Sequence, residues 1–505
     1  ECQDFWRLSG IERDVYIFAQ PKVHIFDYTL TPIVEQLASD GLTGTGYFEV
    51  EVLLQNHSHA NALMTLAFGD DLAMGGEKQV AIAPNSQSTQ VFHIPFQDWK
   101  LWSAEIPNLY DGAISLLQEG KETERLTFRF APRKVEIVGN QLLVNGKAVK
   151  IKGVNIHEHN QYTGHVISRE QTEADIKLMK QHNFNAVRCS HYPQPAYFYE
   201  LCDEYGIYVC DEANIESHGM YYNLNKGGTL GNDLRFYNAH MARVKNMYWR
   251  NKNFTSIIFW SMGNEAGNGY NFYETFLYLK GLDKVRPVQH ERAILEWNTE
   301  IYCPQYPSAF RMAEWASQPT DRPYILSEYA HAMGNSMGGL KEYWDLVRKY
   351  PSYQGGFIWD YIDQGLAKTD ANGNKVEVKG LIDSGAFDFS KDENDMFVLQ
   401  AMAKNNNDPE ATDKYLREYW GEDYDALSKE YKLTDVFAGR YHGTGEDLTA
   451  DAKAYLSKMI PGNSERGGCV EVDARLAELL QLLMELAKVK QEYDKIADAL
   501  SAVKA

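Results

Sequence analysis

Two glutamates stand out by what precedes them. Glu265 and Glu328 each closely follow an apolar, strand-like run (256–260 and 323–326). An unpaired carboxylate there would be costly without a task or a partner. Two such side chains facing each other across a shared hollow are what glycoside hydrolysis requires. One carboxyl is kept protonated by desolvation and neighbouring charge, while the other, ionised, attacks the anomeric carbon. A separation of about 5 Å would mean a covalent intermediate and retained configuration, whereas a wider gap would admit water and invert it. The plain alternative is that one glutamate merely ties down a neighbouring arginine such as Arg188.

Other residues with chemical capacity fall at comparable places. Apolar runs end in Asn155, His157, Glu158 and His159, in Arg188 and His191, and in Asp211, Glu212, Asn214, Glu216 and His218. Further runs end in Tyr306, in Tyr329 and His331, and in Trp359 and Asp360. Sugar rings stack their C–H faces on aromatics while their hydroxyls need directed hydrogen bonds. Trp260, Trp359, Tyr306 and Tyr329 are placed for the first task, although core packing is the ordinary role of an aromatic. Glu216 and His218, two apart, could reach one cation, and an oxygen-rich partner such as Glu265 would favour Mg²⁺ or Mn²⁺ over Zn²⁺.

The elements that must hold these residues follow from periodicity. Alternating runs at 47–54, 89–94 and 113–117, separated by Asn, Gly, Ser and Asp clusters, predict an immunoglobulin-like all-β sandwich over 16–132. A hairpin with an Asn145-Gly146 turn follows, built from 135–138 and 149–154. Eight strands are then predicted at 150–155, 186–191, 207–214, 256–265, 287–291, 300–306, 323–329 and 356–360. Helical segments fall at 169–181, 196–205, 234–251, 270–282 and 338–350. This α/β alternation predicts a (β/α)₈ TIM barrel over 133–374, with a doubly wound open sheet as its rival. A barrel gathers chemistry at the C-terminal ends of its strands. From 375 to 505 a mainly helical tail is expected. Its last helix carries Leu479, Leu482, Leu486, Val489, Tyr493, Ile496, Leu500 and Val503 as an apolar seam. That seam could serve a homo-oligomer or dock on its own domain.

Composition excludes several classes. Across 505 residues, 50 Lys and Arg against 70 Asp and Glu give a net charge of −20, which argues against nucleic-acid or anionic-membrane partners. No apolar run approaches the roughly 20 residues that span a bilayer, and 1–10 lacks a signal-peptide pattern. A soluble protein is expected, of cytoplasm or periplasm without a choice between them. Six cysteines without C-x-x-C spacing read as buried free thiols.

DEANIESHGM (211–220), WSMGNEAG (260–267) and SEYAHAMGNS (327–336) closely resemble motifs of the large bacterial β-galactosidases of glycoside hydrolase family 2. DFWRLSGIERDV (4–15), WSAEIPNLY (102–110), AVRCSHY (186–192) and GGFIWDYIDQ (355–364) extend the resemblance, in the family's order, from 4 to 374. The resemblance implies a retaining enzyme that releases terminal β-D-galactose from galactosides such as lactose. In it Glu328 is the nucleophile and Glu265 the acid/base. Glu216, His218 and Glu265 would ligate Mg²⁺, with Asn264 near the sugar 2-hydroxyl. His157, His191, His331, Tyr306 and Arg188 would line the galactose site, and Trp359 would form its floor. Asp4 would match a Na⁺ ligand, but the stretch after strand eight that supplies its co-ligands is not recognisable. Only the last strand of the family's jelly-roll domain is expected, at 1–15, and 375–505 resembles no part of the family. The alternatives are a sibling activity (β-glucuronidase or β-mannosidase), disfavoured by His331 and Asn335, or a catalytically impaired galactoside-binding or assembly protein.

Overall fold

A computed structural model describes residues 6, 8, 10–218, 229–333, 337–369, 375–378, 413, 414, 416 and 417. Asp4, Asn335, Cys2, Cys469 and the seam helix lie outside these residues. Two compact units divide the chain, Glu1–Gly380 and Leu381–Ala505. In the second, the described residues form a piece of helix in which Arg417 pairs with Asp413 at 2.7 Å.

In the first unit, seven antiparallel strands make a sandwich: β1 (Val23–Leu37), β2 (Thr43–Asn56), β3 (Ala62–Asp70), β4 (Glu77–Ile82), β5 (Ser86–Lys100), β6 (Tyr110–Gln118) and β7 (Lys121–Phe130). One sheet runs β1-β2-β5 and the other β4-β3-β6-β7. Alternation decides which side chains meet between the sheets. Phe48, Val50, Val52 and Leu54 of β2 are all inward and join Leu66, Phe68, Ile94, Ile114 and Leu116 in one core. Residues 14–20 form no strand, nor do 10–15, where a last jelly-roll strand was expected. With no ladder partner there, Arg13 instead pairs with Glu158 at 2.5 Å and donates to the carbonyl of Pro193.

A small sheet of β8 (Val135–Val138), β9 (Gln141–Val144) and β10 (Lys147–Ala148) comes next. Asn145-Gly146 does make the tight turn, both residues having positive φ (52° and 75°), but it joins β9 to β10. Leu142 and Val144 pack with Ile151, Phe259, Ile301, Ile325 and Phe357, so this sheet plugs one end of the barrel. Gln354 fixes the plug, accepting from the amide of Leu142 and donating to the carbonyls of Leu142 and Val149.

The barrel comprises parallel strands β11 (Ile151–Asn155), β12 (Ala186–Arg188), β13 (Tyr208–Glu212), β14 (Ile257–Ser261), β15 (Val288–Gln289), β16 (Tyr324–Tyr329) and β17 (Tyr353–Ile358). Their order, β15-β14-β13-β12-β11-β17-β16, places first beside last, as barrel closure requires. The predicted strand at 300–306 is not a regular strand. It closes the ring through single bridges, Gln289 to Ile301, Tyr302 to Tyr324 and Gln305 to Glu328. Helices α1 (Arg169–Gln181), α2 (Ala196–Tyr205), α3 (Tyr237–Asn251), α4 (Tyr270–Leu282) and α6 (Leu340–Lys349) stand where periodicity predicts. The short α5 (Ala309–Ala316), capped by Ser308, was not foreseen. A closing hairpin, β18 (Leu366–Thr369) with β19 (Lys375–Val378), straddles residue 374, so the tail does not begin as helix there. Cys189, Cys202, Cys210 and Cys303 are buried free thiols, and no helix among the described residues is long and apolar enough to cross a membrane.

One backbone approach in the barrel leaves no room for a side chain. Gly355 sits opposite Ile151 with φ +98°, and a Cβ there would lie 2.2 Å from the Ile151 carbonyl oxygen. Gly355→Ala is therefore expected to lower stability by about 2–3 kcal/mol, seen as a lower urea midpoint with an unchanged m-value.

Candidate active site

The pocket is built on Arg188 at the C-terminal end of β12. Its side chain has 0% exposure and every part of its guanidinium is engaged. Nε and Nη2 form a fork onto the Glu212 carboxylate (2.8 and 3.0 Å), and Nη1 reaches Glu328 Oε1 at 2.8 Å and Asn155 Oδ1 at 3.0 Å. Nη2 also donates to Asn264 Oδ1 at 2.7 Å. A planar five-donor cation suits this radial task. Arg188 does tie down Glu328, but it lies beneath the pocket with no surface a sugar could touch; its expected place in the lining is thus corrected. Burial opposes the charge on Glu212, yet Arg188 and the His191 hydrogen bond outweigh it and hold that carboxyl below its ordinary range.

Glu328, at the end of β16, accepts from Tyr306 Oη at 2.7 Å and from Gln305 Nε2 at 2.9 Å, besides Arg188. Gln305 also donates to Asn264 Oδ1 at 2.8 Å. Asn264 in turn donates through Nδ2 to Glu216 Oε2 at 2.6 Å and lies 3.2 Å from His191 Nε2. All of its hydrogen-bonding capacity is thus used, and it links the two acidic groups. Glu265 projects from the loop after β14 with φ 41°; its Oε2 lies 2.7 Å from His218 Nδ1 and its Oε1 3.6 Å from Arg292. Both glutamates act on common neighbours. Burial first, then the charge and hydrogen bond of Glu328 and the charge of Glu265, push the Tyr306 hydroxyl far above its usual range. Burial and the same two charges, against Arg292, raise Glu291 to about 7.

Glu216, His218 and Glu265 each offer an atom within 4.8 Å of the others. Burial first and then the neighbouring charge of Glu265 push the Glu216 carboxyl well up. Two carboxylates and one imidazole suit a hard or borderline divalent cation, and a cation among them would relieve the repulsion.

The walls are aromatic and imidazole. His191 stacks on Trp359 (5.2 Å, 6°), and His157 stands edge-on to Trp359 at 5.4 Å. Burial keeps His157 neutral by lowering its pKa well below the usual value, and its Nδ1 lies 3.2 Å from Tyr192 Oη. His331 packs edge-on to Tyr306 at 5.8 Å. Trp260 and Tyr329 are not here. Strand alternation turns both outward, Trp260 against Tyr248 of α3 and Tyr329 against Tyr343 and Trp344 of α6. Gln305, Tyr192 and Glu291 were passed over as site residues. Each had the same positional signal: Gln305 stands beside Tyr306 at the end of a predicted strand, Glu291 closes the predicted strand 287–291, and Tyr192 follows the one at 186–191.

A parallel barrel behind an antiparallel sandwich, with two carboxylates at its C-terminal mouth, defines the architectural class. Residues 135–422 match "Glycosyl hydrolases family 2, TIM barrel domain" and residues 23–133 match "Glycosyl hydrolases family 2". The chain belongs to this family, and the match continues past 374, where the motifs give out. It is 41% identical over 397 residues to a beta-galactosidase of Photobacterium profundum, and 42% identical over 395 residues to one of Pseudoalteromonas haloplanktis. Each alignment covers 74% of this chain and 37% of the relative, so the chain spans little more than a third of their length. Solved structures share the fold at low identity. They include a beta-galacturonidase of Eisenbergiella tayi bound to galacturonate (TM-score 0.58, 19% identity, covering 72% of this chain and 69% of that one). A Bacteroides uniformis beta-glucuronidase gives 0.60 and 19%, covering 72% and 50%.

Replacing Arg188 by Met strands two carboxylates in the barrel. Its expected cost is about 3–5 kcal/mol, measured by urea unfolding. Adding Glu212→Gln should recover part of that loss, since one of the stranded charges is then gone.

Proposed function

We propose that the barrel hydrolyses terminal β-galactosides with retention, in two displacements. The observation that carries this reading is the unequal setting of two carboxylates in one pocket. Arg188, Gln305 and Tyr306 all direct donors at Glu328, which suits a nucleophile that must carry negative charge to the anomeric carbon. Glu265, facing His218 and Arg292 at the pocket's other side, suits the group that protonates the leaving oxygen and then takes a proton from water. Trp359 with stacked His191 offers a flat floor for the ring. His157, His331 and Tyr306 offer polar edges to its hydroxyls. Asn264 can exchange its bond to Glu216 for one to the 2-hydroxyl. That the 41–42% identical relatives are beta-galactosidases favours galactose over the uronic acids of the more distant beta-galacturonidase and beta-glucuronidase.

Glu216, His218 and Glu265 would hold Mg²⁺, which when bound supplies positive charge beside the acid/base carboxyl. Asp4 falls outside the described residues, and no role for Na⁺ is proposed.

Glu328→Gln is expected to lower hydrolysis of an aryl β-galactoside by at least about 10³-fold with an unchanged circular dichroism spectrum; retained turnover would sink the assignment. Proton NMR of the unsubstituted protein should show the β-anomer of galactose released first. Chelation by EDTA should lower activity and added Mg²⁺ restore it, whereas indifference to both would make Glu216 and His218 purely structural.

A further inference from the structure

One wall of the carboxylate pocket is held from outside the barrel. The segment 10–20 precedes the sandwich and forms no strand, yet Arg13 within it binds two barrel loops through one nitrogen. Its Nη2 pairs with Glu158 Oε2 at 2.5 Å and donates to the Pro193 carbonyl at 2.8 Å. Glu158 stands in the loop after β11 and Pro193 in the loop after β12. Beside this staple the same two loops meet again at the Tyr192 hydroxyl. It accepts from the Glu158 amide at 2.9 Å and lies 3.2 Å from His157 Nδ1.

Hydrogen counting at that hydroxyl fixes the histidine. A phenol has one proton to give and two lone pairs to receive with. Burial first, and then the charge of Glu158, push Tyr192 well above its usual range, so the proton stays on its oxygen. One lone pair is taken by the Glu158 amide, and among the described residues the only other hydrogen-bond partner is His157 Nδ1. Were Nδ1 to carry the ring's hydrogen, the Tyr192 proton would be left in a buried position without an acceptor, which is costly. The hydroxyl therefore donates to Nδ1. Because burial keeps His157 neutral, its one ring N–H is then at Nε2. The ring stands edge-on to both Trp359 (5.4 Å) and His191 (5.6 Å), the stacked pair that forms the floor.

We propose that Tyr192 is a positioning residue: it holds His157 as the Nε2–H tautomer, a donor to a sugar hydroxyl, while Arg13 staples together the two loops that bring them into contact. The sugar in this inference rests on the proposed hydrolysis; the tautomer does not. A neutral imidazole free to exchange tautomers would have to be fixed by each arriving substrate, and a donor already fixed spares that cost. Arg13 suits the task because Glu158, with a side chain 8% exposed, has no other ion-pair partner among the described residues. The loop cannot leave Arg13 without stranding a carboxylate.

The test is long-range proton–nitrogen NMR of the whole chain with ¹⁵N-labelled histidine at neutral pH, the His157 signals being assigned by their loss in His157→Gln. A protonated Nε2 and an unprotonated Nδ1 are expected; a protonated Nδ1 overturns the proposal. Tyr192→Phe should bring in the second tautomer, and Arg13→Gln should bring it in to a smaller extent. An unchanged pattern in Tyr192→Phe overturns the proposal, and one in Arg13→Gln overturns the part given to Arg13. Glu12→Gln breaks a neighbouring contact of the same segment, Glu12 with His165 at 3.0 Å, and should leave the pattern alone. An equal change there would mean general loosening and would also overturn the role of Arg13. Kinetics supply the second arm. Tyr192→Phe should lower kcat/KM for an aryl β-galactoside about tenfold, with no further loss in a His157→Gln background; additive losses overturn the coupling. If the unsubstituted chain does not turn over, the hydrolytic reading fails while the NMR arm still decides the tautomer. If Tyr192→Phe does not fold, Arg13→Gln decides in its place.

Discussion

One buried cation organises the barrel's chemistry. Arg188 enters from β12 with no solvent contact and must have its charge answered inside the protein, because an unpaired guanidinium in such a place would unfold it. It is answered twice, by Glu212 from β13 and Glu328 from β16. Those strands lie on different sides of the sheet order, so the cation spans the barrel and binds its two halves. Geometry there is fixed by electrostatic need. A glutamate at the end of β16 must turn inward to Arg188, and in doing so it presents its second oxygen to Tyr306 and the pocket.

Sequence periodicity reaches most of the scaffold because sandwich and barrel rest on strong patterns. Runs such as 47–54 alternate cleanly, and the boundaries predicted for α1, α2 and α4 match those found. Short-range pattern failed where long-range contact decided the outcome. The segment 300–306 has the composition of a strand, but only single bridges hold it. Trp260 and Tyr329 were legible as aromatic; which face they take depends on strand phase, and each stands next to a residue that points the other way. Arg188 was legible as a partner of Glu328, yet its depth was not, since depth is set by Asn155, Glu212 and Asn264 arriving from three other places in the chain.

Glu265 and Glu328 are of one residue type but stand in unlike environments. Glu328 is wrapped by donors and has almost no exposure, whereas Glu265 sits in a loop beside another carboxyl and an imidazole. That inequality comes from where each lies along its strand. Glu328 is still within β16, where the ladder fixes its direction. Glu265 comes four residues after the end of β14, beyond Gly263, and takes a left-handed backbone. A loop position leaves the side chain room to meet Glu216, His218 and Arg292 together.

The same division explains where irregular backbone has been tolerated. Glu265 and Tyr306 are non-glycine residues with φ of 41° and 46°, a conformation that costs roughly 1 kcal/mol or more. Tyr306 is held there by two bonds to one residue, its amide to the Glu328 carbonyl and its hydroxyl to the Glu328 carboxylate. A regular strand at 300–306 would alternate Gln305 and Tyr306 to opposite faces and deny one of them to the pocket. By leaving the ladder, the segment delivers both side chains to Glu328. Imperfect closure of the barrel between β15 and β16 is therefore a condition of the site.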